Sequence, residues 1–305
     1  MQLLLFLSGD FPALAAAEAG SVLKLRSFER SGTLLLTKGS PKNAQRLGFT
    51  NRVSKVLFTC KKSELISKVK KFRFEKFRGS FAVRGHDERL LAPLVWMHYK
   101  TPKVNLKDPD NLFEFVTFKK KVICALKIVD IKHDFNSRAP KNRPGFSPVS
   151  LSPKLARALV NLSGISKGVV CDPFCGTGGI LIEASLMGFK VAGYDISSEM
   201  IQKTDQNFRF LGLGNYALKV DDALKIKIKF DFVVSDLPYG RSSVVSMGLY
   251  AAFFKWLESN CRKGAVVVLP GGAKYSVNKK AFKVSKYKYY IHKSLTKVIL
   301  RLEKK

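Results

Sequence analysis

Residues 168–179 read Gly-Val-Val-Cys-Asp-Pro-Phe-Cys-Gly-Thr-Gly-Gly, an apolar run that ends at Asp172 and enters a glycine-rich turn. This pattern predicts a buried strand that passes directly into a helix, because glycines permit a tight turn and a close backbone approach to a ligand. The N–H groups at the start of such a helix favour an electron-rich partner. The dinucleotide fingerprint G-x-G-x-x-G is absent, because position 181 is Leu. The phosphate-binding ending Gly-Lys-Ser/Thr is absent as well. A tight turn without any ligand is the alternative interpretation.

Strands and helices alternate regularly around this turn, over residues 151–305. A helix is predicted after Ser152, which can cap it while Pro153 takes the first helical position. Strands are predicted at 168–172, 190–196, 217–221, 230–236 and 265–270, and a basic hairpin at 282–302. The alternation predicts an α/β fold with an open, mainly parallel, doubly wound sheet, whose ligands bind at the carboxyl ends of the strands.

Acidic residues follow several of these strands. Asp195 ends the second strand, where a carboxylate can accept hydrogen bonds from both hydroxyls of a ribose. In the pair Asp221-Asp222, one carboxylate can receive the exocyclic amine of an adenine. We therefore predict a nucleoside ligand that carries positive charge or amino donors rather than a phosphate.

The fourth strand ends in Ser235-Asp236-Leu237-Pro238-Tyr239-Gly240. This sequence brings a carboxylate, a backbone carbonyl before a proline and an aromatic ring to one edge of the sheet. A planar exocyclic amine needs acceptors for its hydrogens and a face on which to stack. A proline turn with a core tyrosine is the alternative.

Asp-Pro-Phe-Cys-Gly-Thr-Gly-Gly and Asp-Leu-Pro-Tyr-Gly together resemble the S-adenosylmethionine-dependent amino methyltransferases, whose catalytic motif is Asp/Asn-Pro-Pro-Tyr/Phe. Residues 143–157 are similar to the entry to the catalytic domain of the archaeal tRNA guanosine-10 N2-methyltransferases. Residues 79–84 look like the signature strand of the THUMP domain, the RNA-binding module of that family. Leu237 departs from the motif, which commonly has a first proline there, but its backbone carbonyl is retained.

The resemblance implies a Rossmann-like class I methyltransferase sheet preceded by an α+β ferredoxin-like/THUMP RNA-binding module. The expected boundaries are residues 1–55 for the ferredoxin-like domain, 56–134 for the THUMP domain, 135–150 for a linker and 151–305 for the methyltransferase domain.

The resemblance also implies roles at the strand ends. Asp172, Gly176 and Gly178 would cradle the methionine part of S-adenosylmethionine, Asp195 would bind its ribose and Asp222 its adenine. Asp236 and the Leu237 carbonyl would accept the hydrogens of a guanine N2, and Tyr239 would stack on the base. The predicted catalytic residues are Asp236, Leu237, Pro238 and Tyr239, and the predicted cofactor-binding residues are Asp172, Pro173, Gly176, Gly178, Asp195, Ile196, Asp221, Asp222 and Ala223.

The charge of the chain indicates a polyanionic partner. Its 305 residues include 54 Lys+Arg against 23 Asp+Glu, a formal charge of +31. Basic residues in both halves favour nucleic acid over a membrane surface, because no segment approaches 18 uninterrupted apolar residues. Residues 61–78 interleave basic side chains with phenylalanines, which suits RNA phosphates and unstacked bases; a solvated helix face over buried phenylalanines is the alternative. The predicted RNA-binding residues are Lys61, Lys62, Lys68, Lys70, Lys71, Arg73, Lys76, Arg78 and Arg84.

Five scattered cysteines, none at CxxC spacing, indicate a reducing compartment and argue against a metal site.

We expect a cytoplasmic monomer that methylates the N2 of a guanosine, at position 10 of tRNA, to N2-methyl- and/or N2,N2-dimethylguanosine. The alternatives are a guanine-N2 enzyme acting on another tRNA position or on ribosomal RNA, a DNA amino methyltransferase, and a non-catalytic RNA-binding protein with a degenerate methyltransferase fold.

Overall fold

A computed structural model describes residues 1–238, 248–292 and 295–305 of the chain. The chain forms two compact units. The first contains Met1–Gln45 and Thr50–Lys132, and the second contains Arg46–Phe49 and His133–Lys305. Each unit is built on its own seven-stranded sheet within the described residues.

The first unit is a mostly antiparallel sheet with short helices. Its strands are β1 (Gln2–Leu7), β2 (Phe28–Ser31), β3 (Leu34–Lys38), β4 (Thr50–Lys61), β5 (Phe81–Gly85), β6 (Asn111–Phe118) and β7 (Lys121–Asp130), in the order β2-β3-β1-β4-β7-β6-β5. Its helices are α1 (Pro12–Leu23), α2 (Leu65–Lys71) and α3 (Glu88–Trp96). Strands β5 and β6 run parallel to each other.

Strand β4 crosses the boundary that the sequence predicts between residues 55 and 56. It pairs with β1 on one side and with β7 on the other, so a single sheet contains both predicted N-terminal domains. Polar Asn51 and Arg52 interrupt the apolar pattern at this point of the sequence. In the structure Arg52 forms ion pairs with Glu114 and Asp130, which lets a charged residue occupy a strand inside the sheet.

The second unit has the doubly wound α/β sheet that the sequence predicts. Its strands are β8 (Val169–Asp172), β9 (Lys190–Asp195), β10 (Tyr216–Val220), β11 (Phe230–Asp236), β12 (Cys261–Pro270), β13 (Phe282–His292) and β14 (Leu295–Lys304), in the order β10-β9-β8-β11-β12-β14-β13. Strands β8 to β12 pair in parallel, and β13 and β14 form an antiparallel hairpin at one edge. The strand order reverses between β8 and β11, which is where such sheets bind ligands.

Four helices follow the same alternation: α4 (Pro153–Leu162), α5 (Gly179–Leu186), α6 (Ser198–Phe210) and α7 (Leu249–Asn260). The Ser152 hydroxyl caps α4 by accepting a hydrogen bond from the Leu155 N–H, and Ser197 caps α6 in the same way. In the described parts of the chain, no helix combines the length and the apolar character needed to cross a membrane.

The predicted linker of residues 135–150 is an ordered part of the second unit. The Gly145 N–H donates to Asn207 Oδ1 at 2.8 Å, and Asn207 Nδ2 donates back to the Gly145 carbonyl at 3.0 Å. A side chain at position 145 would place its Cβ 2.3 Å from the Lys203 carbonyl oxygen. The segment has no periodic pattern because side-chain hydrogen bonds, rather than helix or sheet packing, hold it in place.

Gly178 is expected to be indispensable for stability. It adopts φ +81° at the start of α5, and an added Cβ would lie 2.7 Å from Thr204 Cγ2. Gly178→Ala should therefore lower the free energy of unfolding by about 2–4 kcal/mol, the sum of backbone strain and a steric clash. Gly188→Ala is the matched control, because Gly188 has φ +83° with no atom within 4 Å of an added Cβ. Equal losses in urea unfolding of the two variants would contradict the steric part of this expectation.

Candidate active site

A cavity of about 260 Å³ opens at the carboxyl ends of β8 and β11 in the second unit. It lies at the point where the strand order reverses. Three stretches of chain and one helix supply its walls: Ser147, Val149, Ser150 and Leu151; Asp172, Phe174, Cys175, Gly176, Thr177, Gly179 and Ile180; Asp236, Leu237 and Pro238; and Met200 of α6.

Asp172 is the buried acid at the end of β8, with 2% of its surface exposed. Its Oδ1 accepts hydrogen bonds from the Ser235 hydroxyl at 2.6 Å and from the Phe174 N–H at 3.2 Å. Burial raises the pKa of Asp172 to about 7, although the two hydrogen bonds act in the opposite direction. A positively charged group bound in the cavity would stabilise this carboxylate.

The glycine-rich turn is held in place by side chains from other elements. The Gly176 N–H donates to Asp195 Oδ2 at 2.9 Å, and the Thr204 hydroxyl donates to the Gly176 carbonyl at 2.6 Å. Gly176 lines the cavity, and an added Cβ there would meet no atom within 4 Å. Gly178, in contrast, packs against Thr204 and is absent from the cavity walls.

Asp195 is the last residue of β9, Ile196 follows it, and Asp221, Asp222 and Ala223 follow β10. These residues and Pro173 lie outside the cavity walls. Asp195 Oδ1 accepts from the Ser197 N–H at 3.0 Å, and the Asp221 N–H donates to the Asp195 carbonyl at 3.0 Å. Ile196, which lies between Asp195 and Ser197 in the chain, is 78% exposed. A hydrogen bond from Lys219 lowers the pKa of Asp221, which keeps that carboxylate ionised.

Asp222 and Ala223 form the entry to a short 3₁₀ turn. Asp222 Oδ1 accepts from the Leu224 N–H at 3.0 Å, and Ala223 is buried beneath. Because a carboxylate oxygen can accept more than one hydrogen bond, neither Asp195 nor Asp222 is saturated by these internal contacts.

The catalytic motif begins at Asp236, the last residue of β11. The Leu237 N–H donates to the Val268 carbonyl of β12 at 3.0 Å, a bond that a proline at this position could not make. The Pro238 carbonyl accepts from the Tyr250 hydroxyl at 3.1 Å, so α7 holds the turn from the other side. Tyr239 lies outside the described residues.

Sequence reasoning missed the partner of Asp236. Lys297 of β14 is 2% exposed, and its Nζ lies 2.7 Å from Asp236 Oδ2. Burial raises the pKa of Asp236, and the Lys297 charge lowers it. The sequence feature that could have indicated a buried lysine is the position of Lys297 directly before the apolar run Val298–Leu300. In the structure this run lies in β14, between β12 and β13.

The predicted RNA-binding residues divide into two groups in the first unit. The eight basic residues of 61–78 are all exposed. The phenylalanines between them belong to the core, as the alternative interpretation holds: Phe74 is fully buried, and Phe72 and Phe77 pack against the same cluster. The Arg84 guanidinium is bound internally, to Glu88 at 2.9 Å and to the Leu106 carbonyl at 3.1 Å, so it is less available for a phosphate.

Comparison with known proteins identifies the family. A family model described as "RMKL-like, methyltransferase domain" matches residues 140–292, and one described as "DNA methylase" matches residues 36–206. The chain is 32% identical to the tRNA (guanine(10)-N2)-dimethyltransferase of Methanothermobacter thermautotrophicus, with 100% of both chains covered. The chain belongs to this family.

A second relative supports the family, and a solved structure supports the fold. The tRNA (guanine(10)-N2)-dimethyltransferase of Pyrococcus abyssi is 32% identical over 82% of each chain. The crystal structure of TrmN from Thermus thermophilus covers 100% of both chains with a TM-score of 0.54 and 17% identity, which shows a shared fold. The predicted family and the predicted Rossmann-like methyltransferase fold are both confirmed.

Proposed function

We infer that this chain transfers a methyl group from S-adenosylmethionine to the exocyclic N2 of guanosine 10 in tRNA, giving N2-methyl- and N2,N2-dimethylguanosine. The observation that carries this function is a pair of acids, Asp172 and Asp236, in the walls of one cavity beside a glycine-rich turn. The family supplies the substrate, since the relatives that match over most of the chain are named for guanine 10 of tRNA.

We propose that the cofactor binds along the ends of β8, β9 and β10. Its methionine part carries an ammonium group beside a sulfonium, which suits the buried carboxylate of Asp172 and the open backbone of Gly176. Asp195 would accept the ribose hydroxyls. The adenine would lie by Ile196, Asp222 and Ala223. The sulfonium supplies the electrophilic methyl group when the cofactor is bound.

We propose that the substrate amine is held by the end of β11. Asp236 and the Leu237 carbonyl would accept the two hydrogens of N2, and Tyr239 would stack on the guanine. The amine lone pair is delocalised into the ring, so two fixed acceptors are needed to turn it toward the methyl group. The N–C bond forms as the S–C bond breaks, and the methylated amine then loses a proton. Positioning and charge placement supply most of the rate enhancement, and no histidine is required.

The test of this function is nucleoside mass spectrometry of tRNA transcripts incubated with the protein and S-adenosylmethionine. N2-methyl- and N2,N2-dimethylguanosine should form on a transcript with guanosine at position 10 and disappear when that nucleotide is replaced. Product that persists after the replacement would indicate another tRNA position. If no tRNA is modified although the cofactor binds, ribosomal RNA and DNA become the substrates to test. Failure to bind cofactor would support a non-catalytic RNA-binding protein.

We propose that the first unit is the RNA-binding module, a THUMP domain with its ferredoxin-like partner. The exposed basic residues of 61–78 would contact tRNA phosphates. We also propose that the protein acts in the cytoplasm, as a monomer and without a metal ion. All five cysteines are buried thiols, and the described residues contain no cluster of three or more His, Cys, Asp or Glu that could hold a metal ion.

Neutralising part of this basic segment is expected to weaken tRNA binding and its salt dependence together. A triple variant, Lys68→Gln, Lys70→Gln and Lys71→Gln, should raise the Kd for tRNA by about 10- to 100-fold. The slope of log Kd against log salt should fall by up to about 0.9 for each phosphate that the variant no longer neutralises. The matched control replaces three exposed lysines of the same unit outside the segment, Lys24, Lys38 and Lys42, by Gln. Equal effects of the two triple variants in fluorescence anisotropy titrations would show that only net charge matters.

A further inference from the structure

Lys297 is a buried cation at the edge of the proposed substrate site. It is the first residue of β14 that pairs with β12, opposite Pro270, and its side chain reaches across β12 to the end of β11. A buried ammonium group is costly unless an anion or several hydrogen bonds compensate it. Asp236 supplies the anion, with Nζ 2.7 Å from Oδ2.

This contact makes the two oxygens of Asp236 different. Oδ2 is engaged by Lys297, whereas Oδ1 is buried and has no hydrogen-bond partner among the residues described. A carboxylate held at one oxygen cannot rotate freely, so Oδ1 keeps a constant direction. A buried acceptor that lacks a donor is destabilising. Asp236 lines the cavity, and its Oδ1 has no partner among the described residues, so an N–H group of a bound ligand could donate to it.

The charge state of Asp236 decides whether its carboxyl group can accept a hydrogen bond from the amine. An ionised carboxylate accepts the amine hydrogen, whereas a protonated one presents a donor in its place and turns the amine away. Asp236 is faced by Lys297 from β14, by Asp172 from β8 and by Tyr250 from α7. Lys297 is the cation of this set and lowers the pKa of Asp236, whereas the Asp236 charge raises the pKa of Asp172.

We propose that Lys297 is a positioning residue of the methyl transfer: it keeps Asp236 ionised and leaves Oδ1 as the single oxygen directed at the guanine amine. This inference rests on the proposed function and deepens it, because it assigns to β14 a part in the substrate site. Lys297 does not itself touch the amine.

Lys297→Met tests the proposal, since methionine keeps the apolar stem and removes the charge. At saturating tRNA and cofactor, kcat at pH 7 should fall by about tenfold or more, with the Kd for cofactor and the KM for tRNA within twofold. The acid limb of the kcat–pH profile should move to higher pH, because loss of the cation raises the pKa of Asp236. The difference in kcat between Lys297→Met and the wild type should therefore narrow as the pH rises.

Lys263→Met is the matched control. Lys263 forms an ion pair with Asp231, at the other end of β11, and its Nζ lies 3.1 Å from Oδ1. This variant should leave kcat and the pH profile unchanged. Unchanged kcat and pH limb in Lys297→Met would overturn the proposal. A uniform loss of kcat without movement of the limb would also overturn it, since that is the effect of a merely structural residue.

Lys297→Arg keeps the proposal testable if the methionine variant does not fold. It retains the charge but changes the shape of the cation, so kcat should fall while the acid limb stays at the wild-type pH. Movement of the limb in this variant would overturn the proposal. Absence of methylated guanosine with the wild-type protein would overturn the proposed function and this inference with it, whereas an active wild type beside an unaffected Lys297→Met would overturn the inference alone.

Discussion

Asp236→Ala is expected to lower kcat by roughly 10³-fold, the effect of removing one preorganised hydrogen-bonding group from a transition state. The Kd values for tRNA and cofactor should stay within about twofold, because the proposed phosphate contacts belong to the first unit and the cofactor contacts to β8, β9 and β10. Single-turnover methylation with nucleoside mass spectrometry measures the rate, and anisotropy measures tRNA affinity.

Stability must be separated from catalysis in this variant. Asp236→Ala removes the anion beside the buried Lys297 ammonium, at a cost of about 3–5 kcal/mol. The double variant Asp236→Ala, Lys297→Met removes both charges and should recover much of that stability while remaining inactive. Asp231→Ala, at the opposite end of β11, should keep wild-type kcat. Loss of tRNA affinity in proportion to kcat in Asp236→Ala would contradict the proposed division of labour between the two units.

Asp172→Asn is expected to weaken cofactor binding by about 10- to 100-fold, the range for a buried charge-assisted hydrogen bond. The wild-type affinity should also depend on pH. The pKa of Asp172 is about 7 in the protein without ligand, and a cationic ligand requires the ionised form. Below pH 7 the Kd should therefore rise about tenfold per pH unit, and above pH 7 this contribution should be flat.

Calorimetry in buffers of different ionisation enthalpy checks this expectation, because binding near pH 7 should release a proton from Asp172. The proton release should vanish in Asp172→Asn and persist in Asp205→Asn, a variant of an acid on α6 that pairs with Arg209. Equal proton release from wild type and Asp172→Asn would contradict the assignment of the cofactor ammonium to this carboxylate.

The same group affects the stability of the protein without ligand. The pKa of Asp172 is raised above its usual 3.8 in the folded state, so the folded protein binds more protons than the unfolded chain between about pH 4 and pH 7. The free energy of unfolding therefore falls as pH rises through this window. Asp172→Asn is accordingly expected to raise the Tm at pH 8 while it weakens cofactor binding.

The apolar and glycine patterns of the sequence were sufficient to predict the second unit. Parallel strands buried on both faces appear as short apolar runs, and their carboxyl ends meet at one edge of the sheet. This is why Asp172 and Asp236, 64 residues apart in the chain, could be predicted to share a site. Both line the same cavity.

Other features depend on contacts that no local pattern records. Residues 61–78 illustrate this, because spacing alone could not distinguish stacking phenylalanines from core ones, and packing against β5 and β6 places Phe74 inside. Likewise, the order of residues 135–150 depends on Asn207, more than 60 residues away. Strand β4 belongs to both predicted N-terminal domains because it forms hydrogen bonds with β1 on one side and with β7 on the other.

The doubly wound sheet and the row of acids at its strand ends could be inferred from local composition and strand-to-helix order, and the family from the resemblance of the motifs. Which oxygen of Asp236 has no partner among the described residues depends on the folded chain, because Lys297 comes from an antiparallel strand 61 residues further along the sequence. The tertiary structure also decided that Gly178 serves packing against Thr204 while Gly176 lines the cavity. Burial and distance are properties of the folded chain, and they set the charge and direction of every group at this site.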